Sequence, residues 1–169
     1  MRDCKHGRVI HEGGGHTRCL LCGSTQATKN GRWRSPLDRL YPLRGYTFLP
    51  EGEELERIPA LYETERIAFE DKTIHLHYFI GACDWYIAEL NPDTLLAFGF
   101  ANLGDDQSAE WGYVDLDELA GITAGVLNQP VERDLHFTPR FFSVVMEQRR
   151  ADEALTEERR VEREGDGRE

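Results

Sequence analysis

Four apolar runs between residues 73 and 114, each closed by a cluster of Gly, Pro, Asn or Asp, constrain the fold of this chain more than anything else in it. Residues 73–80 alternate, with Ile74, Leu76, Tyr78 and Ile80 on one face, the period of a half-buried strand. Gly81-Ala82-Cys83-Asp84 suits a hairpin connection, and residues 85–90 read as a second strand. Asn91-Pro92-Asp93 is a turn signal leading to residues 95–103, and Gly104-Asp105-Asp106-Gln107 is another before 109–114. Four strands joined by turns this short predict an antiparallel meander, with Cys83 as a free thiol in a turn. Trp85, Trp111 and Tyr113 are expected in its core.

Two helices are expected to cover the sheet. Asp115 is placed to cap the first, with Glu118 at its third position and Leu116, Leu119 and Ala120 on one face. Thr138-Pro139 should open the second, whose Phe141, Phe142, Val145 and Met146 would lie on the sheet. Beyond Arg149 this helix turns almost wholly charged, and Glu164-Gly165-Asp166-Gly167 should fray. The fold class is therefore α+β, and the meander and its helices span residues 58–148, followed by a charged helical tail over 149–169. No internal repeat is evident.

The first 34 residues read differently. Cys4-x-His6 is followed after twelve residues by Cys19-x-x-Cys22-Gly23. Two residues between cysteines let both thiolates reach one ion from a tight turn, which the glycine relieves. Cys4, His6, Cys19 and Cys22 would complete a Cys₃His zinc site in a small ribbon or knuckle. His11 and His16 compete for the histidine position. Ordering about 20 residues costs roughly 20 kcal/mol of backbone entropy. Val9, Ile10, Leu20 and Leu21, at about 1.5–3 kcal/mol each when fully buried, do not offset that. A structural zinc, at about 10–16 kcal/mol, makes up most of the difference. Four protein ligands leave no open position, so this zinc is expected to be structural.

Residues 35–57 read as a linker. Ser35-Pro36 should start a short helix through Leu40, and Tyr41-Pro42 should end it, because proline pushes the residue before it towards extended geometry. Glu51-Gly52-Glu53-Glu54 is expected to be exposed.

In a chain of 169 residues and 19.4 kDa, these parts make one domain and a small module. The net charge of −11 is unevenly distributed. Residues 1–50 hold nine Lys and Arg against three acids, whereas residues 51–140 hold 19 acids against five bases. A basic head on an acidic body suggests surfaces for different partners. Arg8, Arg18, Lys29, Arg32 and Arg34, with Trp33 for stacking, make nucleic acid one candidate for the head. The longest apolar run, residues 95–101, is far short of the roughly 18 residues a membrane helix needs. With no apolar stretch at the start of the kind a secretory signal needs, the expectation is a cytoplasmic protein without a membrane partner.

Ile58-Pro59-Ala60-Leu61-Tyr62-Glu63-Thr64-Glu65, Asp71-Lys72-Thr73, Trp85-Tyr86-Ile87-Ala88-Glu89, Gly112-Tyr113 and Val131-Glu132-Arg133-Asp134-Leu135-His136-Phe137 resemble a family of uncharacterised domains, the domain of unknown function 2958. The resemblance covers residues 58–137, about half of the chain, and excludes the cysteine module. The family has no assigned catalytic residues, so none is carried over. It occurs on plasmids, conjugative elements and phages. That context implies an accessory protein, and many such proteins blunt host defence.

Three functions follow as expectations. The first is a non-enzymatic accessory protein that binds a host or element-encoded protein or nucleoprotein complex, its acidic surface imitating phosphates in a counter-defence role. The second is nucleic-acid binding through the zinc module. The third is a metal-dependent enzyme. His75 and His77 would project from one face of a strand about 7 Å apart. Asp134 and His136 repeat that spacing, and Glu63 and Glu65 offer carboxylates. There is no Gly-rich phosphate loop and no nucleophile–base arrangement.

Overall fold

The computed structural model describes residues 9–12, 16–19, 25–26, 37 and 40–166. In the amino-terminal part β1 (Val9–Glu12), β2 (His16–Cys19) and β3 (Thr25–Gln26) form an antiparallel sheet in that order, with Val9 opposite Cys19. Cys4, His6 and Cys22 lie outside the described residues, and Cys19 enters only as the last residue of β2. His11 lies within β1, and His16 opens β2.

Of the 35–57 stretch expected to be a linker, Leu37 and residues 40–57 are described, and they pack against the body through their few apolar residues. Phe48 is fully buried and Leu37 nearly so. Helix α1 (Tyr41–Arg44) starts where the chain was expected to leave helical geometry. Pro42 stands in its first turn, where the missing N–H would have had no intrahelical partner. Arg44 then donates to the carbonyls of Val131 and Ala120 at 2.7 and 2.6 Å. Helix α2 (Glu53–Glu56) follows, and Glu51, Gly52, Glu53 and Glu54 are exposed as expected.

The rest is a mixed α/β fold around an antiparallel sheet. After a 3₁₀ turn (Phe69–Asp71) come β4 (Thr73–Ile74), β5 (Leu76–Ile80), β6 (Cys83–Leu90), β7 (Leu96–Leu103) and β8 (Glu110–Asp115). Helix α3 (Leu116–Ala120) leads to the short strands β9 (Thr123–Ala124), β10 (Gln129–Pro130), β11 (Glu132–Arg133) and β12 (Arg140–Phe141), and α4 (Phe142–Asp166) is the last described element. The expected meander is present as β5 to β8, and β11 adds a fifth strand beside β5. Ile80 pairs with Cys83 across a two-residue hairpin that Gly81 permits at φ 58°. Cys83 is therefore on a strand rather than in the turn, a half-buried free thiol. Asp115 caps α3 as its spacing predicts, accepting from the N–H groups of Asp117 and Glu118.

Two interruptions of the strand period decide which face each residue occupies. At His75 the chain passes from β4, paired with β12, to β5, paired with β6. Ile74 consequently packs with Val145 under α4, while Leu76 and Tyr78 pack with Phe48 and α3 on the other face. These residues were expected on one face. In β6 the register slips between Ile87, opposite Gly99, and Glu89, opposite Phe98. Ala88 and Glu89 together span one step of β7, so a bulge aims Glu89 toward the α4 side. Gly99 allows the close approach this needs, since a Cβ there would lie 2.2 Å from the Tyr86 carbonyl oxygen.

Trp85 is buried as expected, but Tyr113 is exposed because, among the described residues, no strand pairs with the outer side of β8. Thr138 and Pro139 precede β12 rather than the helix, and α4 begins at Phe142, whose N–H bonds the Lys72 carbonyl at 2.8 Å. That leaves Phe141 exposed while Phe142, Val145 and Met146 cover the sheet. No helix among the described residues is long and apolar enough to cross a membrane.

Candidate functional site

Side chains from β5, β6, the segment after β11 and α4 meet around His77. Its Nε2 lies 2.9 Å from Asp84 Oδ1, and its Nδ1 lies 3.5 Å from Asp134 Oδ2. The register sets up the first contact, because it places Asp84 opposite Phe79 and so diagonally across from His77 on the same sheet face. The second depends on β11 pairing with β5, which carries the chain past Tyr78 so that the Asp134 N–H bonds the His77 carbonyl at 2.9 Å. The imidazole stacks on Tyr86, with ring centroids 4.5 Å apart and planes 9° from parallel, and touches Phe137 at 5.8 Å. Carboxylates at both nitrogens and aromatic rings at its sides hold this ring in place.

Arg149 of α4 completes the cluster. It lies 3.7 Å from Asp84 and 2.9 Å from both Asp106 and Glu153. Burial works against its cation, but the Asp106 hydrogen bond and the Glu153 carboxylate hold its pKa above the usual guanidinium value. The exposed Asp106 is held below the carboxylate range by hydrogen bonds from Asn102 and Arg149. Burial, and next the Asp84 charge, push the Tyr86 hydroxyl far up, so it stays protonated.

Beside this cluster runs an open groove of about 650 Å³. Its floor is His77, Asp84, Tyr86 and Asp134, and its overhanging wall is the face of α4 carrying Val145, Gln148, Arg149, Asp152, Glu153, Thr156 and Glu157. Those positions recur every three or four residues, the spacing of one helix face. The lining holds five carboxylates against two arginines and two histidines. Both arginines are committed, Arg149 to carboxylates and Arg140 to Gln148 and the Thr138 hydroxyl. The groove thus faces solvent with negative charge and suits a cationic ligand.

A second polar centre lies inside the sheet layer. Bulged Glu89 accepts from the N–H groups of Tyr62 and Thr64, at 2.7 and 3.0 Å, and from the Thr64 hydroxyl. The Lys72 ammonium is 3.6 Å away and donates to the carbonyl and hydroxyl oxygens of Thr64. Burial raises the Glu89 pKa, but these donors and the Lys72 charge outweigh it and hold the group below its usual value. Three of the stretches that carry the family resemblance converge here, through Thr64, Lys72 and Glu89. With its donors and acceptors paired, the centre ties the 60–72 segment to the sheet.

Of the residues singled out as metal ligands in the body, His77 and Asp134 come together. His75 is half-buried, with its pKa lowered by burial. The Glu63 carboxylate accepts from the Ala60 N–H. Among the described residues no three His, Cys, Asp or Glu side chains form a group able to hold a metal. Arg133 pairs with Glu54 at 3.1 Å and its N–H bonds the Tyr46 hydroxyl, so it ties β11 to the amino-terminal flank. Sequence reasoning missed Asp84 and Arg149. Arg149 had a signal, since it follows Phe142, Val145 and Met146 at helical spacing and so continues the buried stripe. Asp84 had none.

A family model described as protein of unknown function (DUF2958) matches residues 64–155, more than half of the chain. The match starts six residues after the stretch whose resemblance was noted and runs on into α4, so it takes in His77, Asp84, Asp134, Arg149 and Glu153. No curated protein and no solved structure matches the chain.

Proposed function

The chain belongs to this DUF2958 family of unknown function, and on that footing we propose that it acts by binding rather than catalysis, as an accessory protein of a mobile element or phage. Its target is a basic surface on a host or element-encoded protein or nucleoprotein complex, and the α4 groove is the contact. The observation that carries this reading is the charge arrangement around His77. Arg149 is neutralised by carboxylates and Arg140 is held by uncharged partners, so carboxylates remain in excess to meet the ligand. A dense carboxylate surface imitates a phosphate backbone, so a site built for nucleic acid suits it, in keeping with a counter-defence role.

A metal-dependent enzyme is the weaker reading, because His77 has carboxylates at both nitrogens and turns no lone pair to the groove. The amino-terminal zinc site at Cys4, His6, Cys19 and Cys22 is retained as a structural element of the proposal, resting on ligand spacing. Nucleic-acid binding by that module stays secondary.

Capture from host lysate by the full chain and by the Asp152→Lys/Glu153→Lys/Glu157→Lys variant, at low and high ionic strength, tests the proposal. Capture that weakens steeply with salt and disappears in the variant is expected. Salt-insensitive capture, or capture equal in the two proteins, overturns it.

A further inference from the structure

β8 closes one side of the five-stranded sheet, and among the described residues no strand pairs with its outer side. The Leu116 N–H donates to the Leu95 carbonyl at 3.0 Å, and the register places Val114 opposite Ala97 and Gly112 opposite Gly99. Antiparallel ladders bond at every second pair, so Glu110, Gly112 and Val114 carry the bonds to β7. The N–H and C=O groups of Trp111 and Tyr113 then point away from the sheet. The strand has no proline, no lysine and no register break with β7, three of the devices that commonly block an edge.

The same edge carries a surface of rings. Tyr113 meets Tyr62 edge-on at 6.3 Å, and Phe69 stacks on Trp111 at 5.0 Å. Tyr62, Phe69 and Tyr113 are 63%, 50% and 53% exposed. Glu110 and Asp115 stand at the two ends of the strand, and Glu63, Glu65 and Glu70 adjoin Tyr62 and Phe69 in the chain, against a single base in that stretch, Arg66. This charge selects the occupant. Two copies joined edge to edge would bring this acidic rim up against the same rim of the second copy, with no basic surface to meet it.

We propose that β8 is a docking edge that takes up an extended segment of a partner protein as a sixth strand. The segment alternates apolar or aromatic side chains, which rest on the Trp111 and Tyr113 rings, with basic ones, which lie beside Glu110. This surface uses none of the groove residues, so either proposal stands without the other.

The test titrates the full chain with the peptide acetyl-Lys-Val-Lys-Val-Lys-Val-Lys-amide and follows hydrogen exchange residue by residue. Saturable binding is expected, with exchange of the Trp111 and Tyr113 amides slowed at least tenfold. Tyr113→Pro removes an outward N–H, and proline is tolerated where the amide of an edge strand faces solvent. That variant should bind at least tenfold more weakly. Tyr113→Lys, which leaves the backbone intact but removes the ring and adds a like charge, should do the same, whereas Glu153→Lys in the groove should change nothing. Binding without protection of those two amides would reveal charge adsorption alone and overturn the proposal. So would amides already protected in the free chain, or protected by a concentration-dependent dimer.

Discussion

The Glu89 carboxylate and the Lys72 ammonium lie 3.6 Å apart with both side chains at most 4% exposed, and a bulge in β6 is what aims the one at the other. Buried charges are tolerated only when each is paired and hydrogen-bonded, as both are here. Glu89→Gln should therefore destabilise the protein by about 3 kcal/mol, because it strands the lysine charge. Replacing both residues with apolar ones of similar volume should recover much of that loss. Urea denaturation of the two variants measures the difference.

The same pair sets part of the acid response. The folded Glu89 pKa lies below its usual 4.5, so its contribution is complete at higher pH and is lost as pH falls through the folded value. His75, held below its usual 6.5 by burial, acts in the same direction nearer neutrality, since the fold favours its uncharged form. Thermal melts should show stability falling gently below pH about 6.5 and more steeply below about 4.5. Glu89→Gln should flatten the lower step.

Gly99→Ala should cost at least about 2 kcal/mol, since nothing near the site is flexible enough to yield. The added Cβ would meet the Tyr86 carbonyl oxygen at 2.2 Å, and that atom belongs to the backbone. Gly112→Ala, whose Cβ has open space, should be nearly neutral. Midpoints of urea denaturation for the two variants check the contrast.

Arg149 joins α4 to the sheet through Asp84 and to the β7–β8 connection through Asp106. Arg149→Met keeps much of the stem but leaves those carboxylates without their cation. A loss of about 1–2 kcal/mol is expected, a fall of roughly 3–6 °C in melting temperature. Calorimetry of wild type and variant reads it directly.

One zinc per chain is expected in the purified full-length protein. Cys19→Ser and Cys22→Ser should each lose it, and Cys83→Ser should not. Elemental analysis of His6→Ala, His11→Ala and His16→Ala identifies the histidine ligand.

Much of the body was legible in the sequence. The turn at Asn91 is closed by its side chain, whose Oδ1 accepts from the N–H groups of Asp93 and Thr94. The Asp115 cap and the buried face of α3 lie where their spacing puts them. The candidate site was legible only in pieces. His77 and Asp134 stood out, but nothing in either stretch says that they face each other, and Asp84 in its hairpin looked like an ordinary polar turn residue.

By itself the sequence determined the four meander strands and their turns, the α3 cap and the unequal charge of head and body. These are properties of neighbours in the chain, because period, turn chemistry and capping act over a few residues. The tertiary structure alone decided that Ile74 and Leu76 part to opposite faces, that Glu89 turns to Lys72, and that His77, Asp84, Asp134 and Arg149 form one cluster. A bulge, a change of strand partner or a contact between distant residues depends on what packs from elsewhere, and no local pattern encodes that.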